Sequence, residues 1–289
     1  MNLSLAIIGP GTLGCSLASW ATQKGMAVRL AGRNLAHAEA GRNTVEERWR
    51  RGQERGALGP EAVALARAGL HCCSSWEAAV EGADLVLEAL PESLAVKAEA
   101  WKDLDPLCGP GTLRLTGSSS IPLHRIRSAA RMSTPLLGFH LFLPLERMPV
   151  VELVSEPGTD SSLQQRARDL AETLGKRVIP VADGPGYAAS RMALAQGLEA
   201  MRLLESGAAS AVDLDALMVL GYGHPVGPLE LSDRIGLDLR LAIAQGIFQS
   251  GGDPAFEPPP ILESLVAQGR LGVKTGQGFH VWPRPGARP

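Results

Sequence analysis

The chain has 289 residues, more than one hydrophobic core usually serves, so we expect two domains. Apolar residues make up 45% and charged residues 20%, and the net charge is −2; this is typical of a soluble globular protein and gives no reason to expect nucleic acid or a membrane as partner. Four cysteines lack C-x-x-C spacing, so neither a disulfide framework nor a metal site is predicted. No targeting segment precedes the first predicted strand, and we expect a cytoplasmic protein.

The chain begins with a strand, a glycine-rich turn and a helix. An apolar strand is predicted over 3–8, a G-x-G-x-x-G turn follows at 9–14, and residues 15–24 favour a helix. In this motif the first glycine permits a tight turn, the second lets the backbone approach a pyrophosphate, and the third lets helix and strand pack together. The helix N-terminus adds free N–H groups. The predicted cofactor-binding residues are Gly9, Gly11, Thr12, Leu13 and Gly14, and the alternative is a glycine-rich turn without a ligand.

The end of the second predicted strand, 28–31, bears on the choice of nucleotide. Dinucleotide folds often carry an acidic residue about 20 positions beyond the turn, where it binds the adenosine ribose. Gly32 and Arg33 stand there instead. The glycine leaves room, and a guanidinium can pair with a 2′-phosphate through its planar fork. The pattern favours NADP over NAD, but either nucleotide would bind if Arg33 were only a solvated loop residue.

Residues 35–55 are predicted to form a very polar helix with five arginines and four glutamates. At helical spacing such a mixed run is typical of a solvated, ion-paired face. The alternative is a basic surface that holds the phosphates of a large substrate. Its candidate residues are Arg48, Arg51 and Arg55.

Strands and helices alternate through the rest of the first half. This order predicts a largely parallel sheet covered by helices on both faces. The run at 84–89 is almost wholly apolar, as a buried parallel strand should be. The other predicted strands are 70–73, 113–115, 136–142, 150–154 and 176–181, and the helices are 60–68, 93–105 and 161–174.

The composition changes near residues 182–186. Beyond Asp183-Gly184-Pro185-Gly186 the strand pattern stops, and apolar residues recur at helical spacing in 187–205, 212–220, 228–235, 237–248 and 261–268. We therefore predict an α/β fold in which a Rossmann-type domain, residues 1–183, has a doubly wound, mostly parallel sheet. An all-α domain for substrate binding and dimerisation, residues 184–289, follows it. A homodimer through the helical domain is the expected assembly.

Three polar residues of the first half are candidates for chemistry, because ligands of open α/β sheets bind outside the carboxyl ends of the strands. Ser119 follows one predicted strand, His140 lies in the next, and Glu152 lies in the one after. A carboxylate in the run V-V-E-L-V is costly unless it is paired. Adjacent strands would let Glu152 accept from one imidazole nitrogen and leave the other free for proton transfer. The alternative is that both are ordinary, satisfied core residues.

Taken in order, the motifs of this chain resemble the L-3-hydroxyacyl-CoA dehydrogenase family nearly from end to end. The most specific are G-Y-G-x-P-x-G-P-L-E at 221–230 and K-T-G-x-G-F at 274–279. The other matching stretches are 8–14, 84–92 with Lys97, 138–140, 151–152 and 183–187.

The resemblance implies a role for each candidate. It makes His140 the general base that acts on a 3-hydroxyl group, Glu152 its partner carboxylate, and Ser119 the residue that hydrogen-bonds the reacting oxygen. It places Arg48, Arg51 and Arg55 on a helical hairpin that meets the phosphates of CoA. The residues that it places around the cofactor are Glu92, Lys97, Gly117 and Lys274.

Four departures from the family pattern concern the pocket. Gly117 stands where the family usually has an asparagine before its serines, and Leu143 stands where it has the asparagine of Asn-Pro. Ser190 replaces an asparagine that is thought to bind the thioester carbonyl, and it has a shorter reach. Gly32 replaces the acidic residue that binds the nucleotide.

The sequence therefore predicts an NAD(P)-dependent oxidoreductase that interconverts a 3-hydroxyacyl-CoA and its 3-oxo form. His140 and Glu152 would relay the proton, and Ser119 and Ser190 would complete the catalytic site. The departures leave open a dehydrogenase of another 3-hydroxy acid, such as a sugar acid, carnitine or an acyl group on a carrier protein. A nucleotide-binding relative without catalysis is a third hypothesis, against which the intact serine, histidine and glutamate argue.

Overall fold

The computed structural model describes residues 3–251 and 253–283. The chain divides into two compact units, residues 1–184 and 185–289. The sequence places the boundary one residue earlier. Among the described helices, none combines the length and apolar character that crossing a membrane requires.

One sheet of eight strands forms the centre of the first unit. The strands are β1 (Ser4–Ile8), β2 (Ala27–Ala31), β3 (Leu70–Cys73), β4 (Leu85–Glu88), β5 (Leu113–Thr116), β6 (Leu137–Leu141), β7 (Val150–Ser155) and β8 (Arg177–Ala182). Their order is β3-β2-β1-β4-β5-β6-β7-β8, and all neighbours are parallel except β6 and β7. The strand order reverses between β1 and β4, which is where ligands bind in open α/β sheets. The predicted Rossmann-type, mostly parallel sheet is confirmed.

The helices of the first unit cover this sheet. They are α1 (Thr12–Gln23), α2 (Leu35–Glu54), α3 (Pro60–Ala68), α4 (Trp76–Val80), α5 (Leu94–Leu104), α6 (Leu123–Ala130) and α7 (Ser161–Thr173). The core between sheet and helices includes Leu5, Leu17, Leu30 and Phe139, all fully buried. The sequence prediction lacks α4 and α6. Both are short, and a helix of one or two turns shows little apolar periodicity.

Five α-helices form most of the described part of the second unit. They are α8 (Ala189–Glu205), α9 (Ala211–Ala216), α10 (Pro228–Ile235), α11 (Leu237–Gly251) and α12 (Pro260–Ala267). They enclose a core that includes Leu198, Met201 and Ile247. The sequence predicts one helix over 212–220, but a π-helical turn, Leu217–Gly221, follows α9. The all-α prediction is confirmed for the described residues, apart from two isolated β-bridges at Gln277.

The K-T-G-x-G-F motif holds the end of the described chain against α10. The Asp233 carboxylate accepts hydrogen bonds from the backbone N–H groups of Phe279 (2.9 Å) and His280 (2.8 Å) and from Trp282 Nε1 (2.8 Å). A Cβ at Gly278 would lie 2.0 Å from Asp233 Oδ1, so a side chain there would displace this carboxylate. The motif therefore has a structural role within the second unit.

Candidate active site

The glycine-rich turn joins β1 to α1 and leaves one edge of the backbone open. Gly9 has a φ of 112°, in the region that favours glycine, and a Cβ there would lie 2.7 Å from the Ala89 carbonyl oxygen. A Cβ at Gly14 would lie 1.9 Å from the Gly9 carbonyl oxygen, so α1 can pack this closely only without a side chain. At Gly11 an added Cβ would meet nothing within 4 Å. The open edge at Gly11 fits the close approach of a pyrophosphate.

A cavity of about 720 Å³ lies beside this turn. Its walls include Gly9 of the turn, Gly32 and Arg33 after β2, and His37 of α2. Trp76, the first residue of α4, forms another part of the wall, and its Nε1 donates to the Gly32 carbonyl oxygen at 3.1 Å. Sequence reasoning found Gly32 and Arg33 but missed His37 and Trp76. The available signal was that His37 follows Gly32 by five residues, at the start of the next helix, and so could reach the same cavity.

A buried ion pair lies at the carboxyl end of β4. Glu88 is fully buried, and its carboxylate accepts from Lys97 Nζ at 2.9 Å, from Thr116 Oγ1 at 2.7 Å and from the Leu90 backbone N–H at 2.6 Å. Lys97, only 1% exposed, also donates to the Leu90 carbonyl oxygen. Removing one partner of such a pair leaves an uncompensated buried charge. Sequence reasoning missed Glu88, although a carboxylate ending an apolar strand was a signal.

Glu92 anchors the loop that carries Ser119. Its Oε1 atom accepts from Ser118 Oγ (2.8 Å), from the backbone N–H groups of Ser119 (2.9 Å) and Ser120 (2.8 Å), and from Ser120 Oγ (2.9 Å). Its other oxygen lies 3.4 Å from Lys97 Nζ. Burial opposes ionisation, but the charge of Lys97 and the serine hydrogen bonds outweigh it and hold the pKa of Glu92 below its usual value. A charged Glu92 therefore fixes the serine loop.

Gly117 lies at the start of the same loop, and the Leu13 side chain occupies the space beside it. A Cβ there would lie 2.6 Å from Leu13 Cδ2 and 3.2 Å from the Glu88 carbonyl oxygen. An asparagine would have to displace the Leu13 side chain. Only the backbone of Gly117 can contact a ligand in this arrangement.

His140 and Glu152 face each other across the antiparallel pair of β6 and β7. His140 Nδ1 lies 2.5 Å from Glu152 Oε2, and both residues are buried, at 8% and 3% exposure. The imidazole also contacts the Phe142 ring, with centroids 4.6 Å apart. Since β5 and β6 are parallel neighbours, Ser119 and His140 leave the sheet at the same edge. The predicted contact between His140 and Glu152 is present.

A second cavity, of about 700 Å³, lies between α1, α2 and the loop that follows β6. Arg48, Arg51, Arg55 and Arg147 line it. Arg48 Nε is buried and has no hydrogen-bond partner among the described residues. By contrast, Arg50 points elsewhere on the helix and is ion-paired with two glutamates of α2, as a solvated face would predict. Arg51, which lines the cavity, is also ion-paired with Glu47, so the ion-paired face and the cavity wall overlap on this helix.

The two remaining candidates belong to the second unit. Ser190 lies in the first turn of α8. Lys274 lies in the K-T-G-x-G-F motif, and its ammonium is ion-paired with Asp238 of α11. Within residues 3–251 and 253–283, no group of three or more histidine, cysteine, aspartate or glutamate side chains has the arrangement to hold a metal ion.

Comparison with known proteins agrees with this geometry. Residues 4–184 match the family described as 3-hydroxyacyl-CoA dehydrogenase, NAD binding domain, and residues 186–282 match its C-terminal domain. A probable 3-hydroxybutyryl-CoA dehydrogenase of Bacillus subtilis (strain 168) is 33% identical over 276 residues, which cover 96% of each chain. The mitochondrial hydroxyacyl-coenzyme A dehydrogenase of Sus scrofa is 32% identical over 282 residues, 96% of this chain and 90% of that one.

A crystal structure gives the same result in three dimensions. The (S)-3-hydroxybutyryl-CoA dehydrogenase from Ralstonia eutropha superposes with a TM-score of 0.92 at 30% identity, covering 98% of this chain and 100% of that chain. A Rossmann-type sheet with this glycine turn is typical of a dinucleotide-binding protein, and the matched domain is that of an NAD-binding dehydrogenase. More narrowly, the chain belongs to the 3-hydroxyacyl-CoA dehydrogenase family, as the order of its motifs predicts.

Proposed function

We propose that the protein interconverts a 3-hydroxyacyl-CoA thioester and its 3-oxo form by hydride transfer, with His140 and Glu152 as a proton relay. The observation that carries the proposal is the buried 2.5 Å contact between His140 Nδ1 and Glu152 Oε2. A carboxylate that accepts from Nδ1–H selects the tautomer in which Nε2 is unprotonated. Nε2 is then the atom that exchanges a proton with the substrate.

In the oxidative direction, His140 Nε2 removes the proton of the 3-hydroxyl group while hydride leaves C3. The O–H electron pair becomes the second bond of the new carbonyl group. A bound nicotinamide supplies the hydride acceptor in this direction and the donor in reverse. Glu152 stabilises the imidazolium, and Ser119 hydrogen-bonds the reacting oxygen from the loop that Glu92 holds. In reduction His140 returns the proton to the oxygen.

The glycine-rich turn and the cavity beside it fit a dinucleotide. The open edge at Gly11 would receive the pyrophosphate, close to the N-terminus of α1, where Thr12 and Leu13 lie. Gly117 can contribute backbone contacts only. Contacts of Glu92, Lys97 and Lys274 with the cofactor stay predictions, as does a contact of Ser190 with the substrate.

The test of this proposal is an absorbance assay with acetoacetyl-CoA, NADH and NADPH. His140→Ala and Glu152→Gln should lower kcat, because general acid–base catalysis is worth ~10²–10⁴-fold. His71→Ala, an exposed histidine of β3, is the matched control and should keep full activity. Turnover of His140→Ala within a few-fold of wild type would reject the relay. A wild-type protein that binds nucleotide but turns over no 3-hydroxy substrate would favour the non-catalytic hypothesis.

We also propose that the protein prefers NADP over NAD. Support comes from Gly32 and Arg33, which occupy the position after β2 and line the cavity beside the glycine turn. The guanidinium of Arg33 is exposed. Position 32 carries no acidic side chain of the kind that binds the ribose 2′-hydroxyl group of NAD. Titration with both nucleotides tests the preference, and tighter binding of NADH would overturn it.

The arginines of the second cavity support CoA as the carrier of the acyl group. Arg48, Arg51, Arg55 and Arg147 would bind the phosphates of its nucleotide end. Arg55→Ala and Arg147→Ala should raise KM for acetoacetyl-CoA by ~10- to 100-fold, the value of a hydrogen bond to a charged group. They should leave KM for acetoacetyl-pantetheine, which lacks that end, unchanged. Arg50→Ala, an ion-paired arginine of the same helix, is the control.

The alternative is a dehydrogenase of another 3-hydroxy acid. It is favoured by Ser190 and Leu143, which replace two asparagines of the family, and by Gly117, where a side chain would have to displace the end of Leu13. Wild-type KM values that are equal for acetoacetyl-CoA and acetoacetyl-pantetheine would support this alternative, because CoA would then not be recognised. Assembly as a homodimer and location in the cytoplasm stay predictions from the sequence.

A further inference from the structure

A side chain of α2 occupies the space that a side chain at position 32 would need. A Cβ built on Gly32 would lie 2.9 Å from the Cβ, Cγ and Nδ1 atoms of His37. The backbone N–H of Arg33 is oriented toward His37 Nδ1 at 3.4 Å, and the backbone N–H of His37 donates to Asn34 Oδ1 at 2.9 Å. The imidazole is thus held against the turn that follows β2.

This position leaves the other edge of the ring for a ligand. Since Nδ1 accepts from Arg33, the neutral ring carries its proton on Nε2, which is a donor. The ring lines the nucleotide cavity with Gly9 and Arg33. The acidic side chains that line the same cavity, Glu99 and Asp103, belong to α5. Positive charge and N–H donors therefore lie on the β2 side, and carboxylates lie on the α5 side.

We infer that His37 binds the adenosine 2′-phosphate together with Arg33 and is a specificity-determining residue for the nucleotide. The inference rests on the proposed NADP preference and extends it to a second residue. A 2′-phosphate accepts hydrogen bonds from both the imidazole and the guanidinium. A ribose 2′-hydroxyl gains less from these donors, because the carboxylate that would accept its proton is absent from position 32.

The geometry also couples positions 32 and 37. An aspartate at position 32 collides with the Cβ, Cγ and Nδ1 atoms of His37; an alanine at position 37 keeps the Cβ contact, and only a glycine there removes all three. The effects of Gly32→Asp and His37→Gly on nucleotide binding should therefore be strongly non-additive. This coupling distinguishes a pair that selects the nucleotide from two unrelated loop residues.

The experiment measures dissociation constants of NADPH and NADH for the full chain by nicotinamide fluorescence. His37→Ala should weaken NADPH by about tenfold or more, as loss of a hydrogen bond to a charged group predicts, and leave NADH within about twofold. His37→Gln, which keeps an N–H donor, should retain more NADPH affinity than His37→Ala. Gly32→Asp should weaken both nucleotides, and Gly32→Asp with His37→Gly should bind NADH more tightly than NADPH, with His37→Gly alone completing the comparison. His71→Ala should match wild type, and the thermal midpoint of each variant reports its folding.

The results separate two failures. If wild type prefers NADPH and Arg33→Ala loses that preference, but His37→Ala changes both affinities equally or neither, the role of His37 is wrong and the NADP preference stands. If wild type binds NADH more tightly, the preference itself is wrong, and the role of His37 fails with it. If the double variant binds NADH no better than Gly32→Asp alone, the coupling between the two positions is refuted.

Discussion

At the scale of single residues, Glu92 both stabilises the fold and positions the serine loop of the candidate active site. One of its oxygens accepts from three consecutive serines, and the middle one is proposed to bind the reacting oxygen. Glu92→Gln places an NH₂ group or a weaker acceptor against these donors, so Ser119 should shift. Misplacement of a catalytic group by about 1 Å can cost ~10²-fold, and we expect kcat to fall by that order with KM little changed. Steady-state kinetics check this, with Glu61→Gln, an exposed residue of α3, as control.

The lowered pKa of Glu92 gives this prediction a pH dependence. A carboxyl group whose pKa is lower in the folded than in the unfolded protein stabilises the fold above its unfolded pKa. That stabilisation is lost as the pH falls through the folded pKa. Wild type should therefore lose thermal stability on the acid side of the usual glutamate pKa, and Glu92→Gln should lose less over that range. If the Tm of the two proteins fell equally with decreasing pH, the neighbours of Glu92 would not be lowering its pKa.

At the scale of elements, α11 carries a buried arginine across α8. Arg240 is 4% exposed, and its Nε and Nη2 atoms have no hydrogen-bond partner among the described residues. A Cβ on Gly197 of α8 would lie 3.8 Å from Nη2, so the guanidinium packs at van der Waals distance from this part of α8. Burial lowers the pKa of Arg240 to about 10. The charged form is thus penalised in the folded state at neutral pH.

Replacing this side chain by an apolar one of similar length should stabilise the second unit. Removing buried charge in this way can add ~1–4 kcal/mol. At about 2–4 °C per kcal/mol for a chain of this size, Arg240→Met should raise Tm by several degrees. Its advantage should shrink only as the pH rises above about 10, the pKa of Arg240 in the folded protein, because the wild-type guanidinium then loses its proton. Arg234→Met, an exposed ion-paired arginine of α10, is the control, and a lower Tm for Arg240→Met would indicate that an anion pairs with Arg240.

At the scale of the whole molecule, the second unit exposes large apolar side chains, and we predict that they form a dimer interface. Large apolar side chains that are more than 60% exposed concentrate there, among them Met192, Val212, Leu220 and Tyr222. Such concentration is typical of an interaction site. Light scattering should give the mass of a dimer for wild type, and Leu220→Glu should shift it toward a monomer. Leu65→Glu, 64% exposed in the first unit, should remain a dimer. A monomeric wild type, or equal behaviour of both variants, would refute the assembly.

The sequence by itself determined the order and type of the long elements. Strands such as β4 are apolar on both faces, and helices such as α10 repeat their apolar residues at helical spacing, so short-range patterns suffice to predict them. The glycine-rich turn was predictable for the same reason, because the positive φ of Gly9 and the close approach of Gly14 to the Gly9 carbonyl oxygen lie within the turn itself. The contact of His140 with Glu152 required only that their two strands be neighbours.

The tertiary structure decided which polar groups meet across long stretches of chain. Glu88, Lys97 and Thr116 come from three elements, and no local pattern indicates that they share one buried network. No local pattern indicates what lies beside Gly32 either. The glycine predicts open space there, but in the folded chain the His37 ring occupies it. It also holds for Arg240, whose polarity predicts exposure. Composition fixes what a segment can bury, but only the packing of distant segments determines what each polar group has as a neighbour.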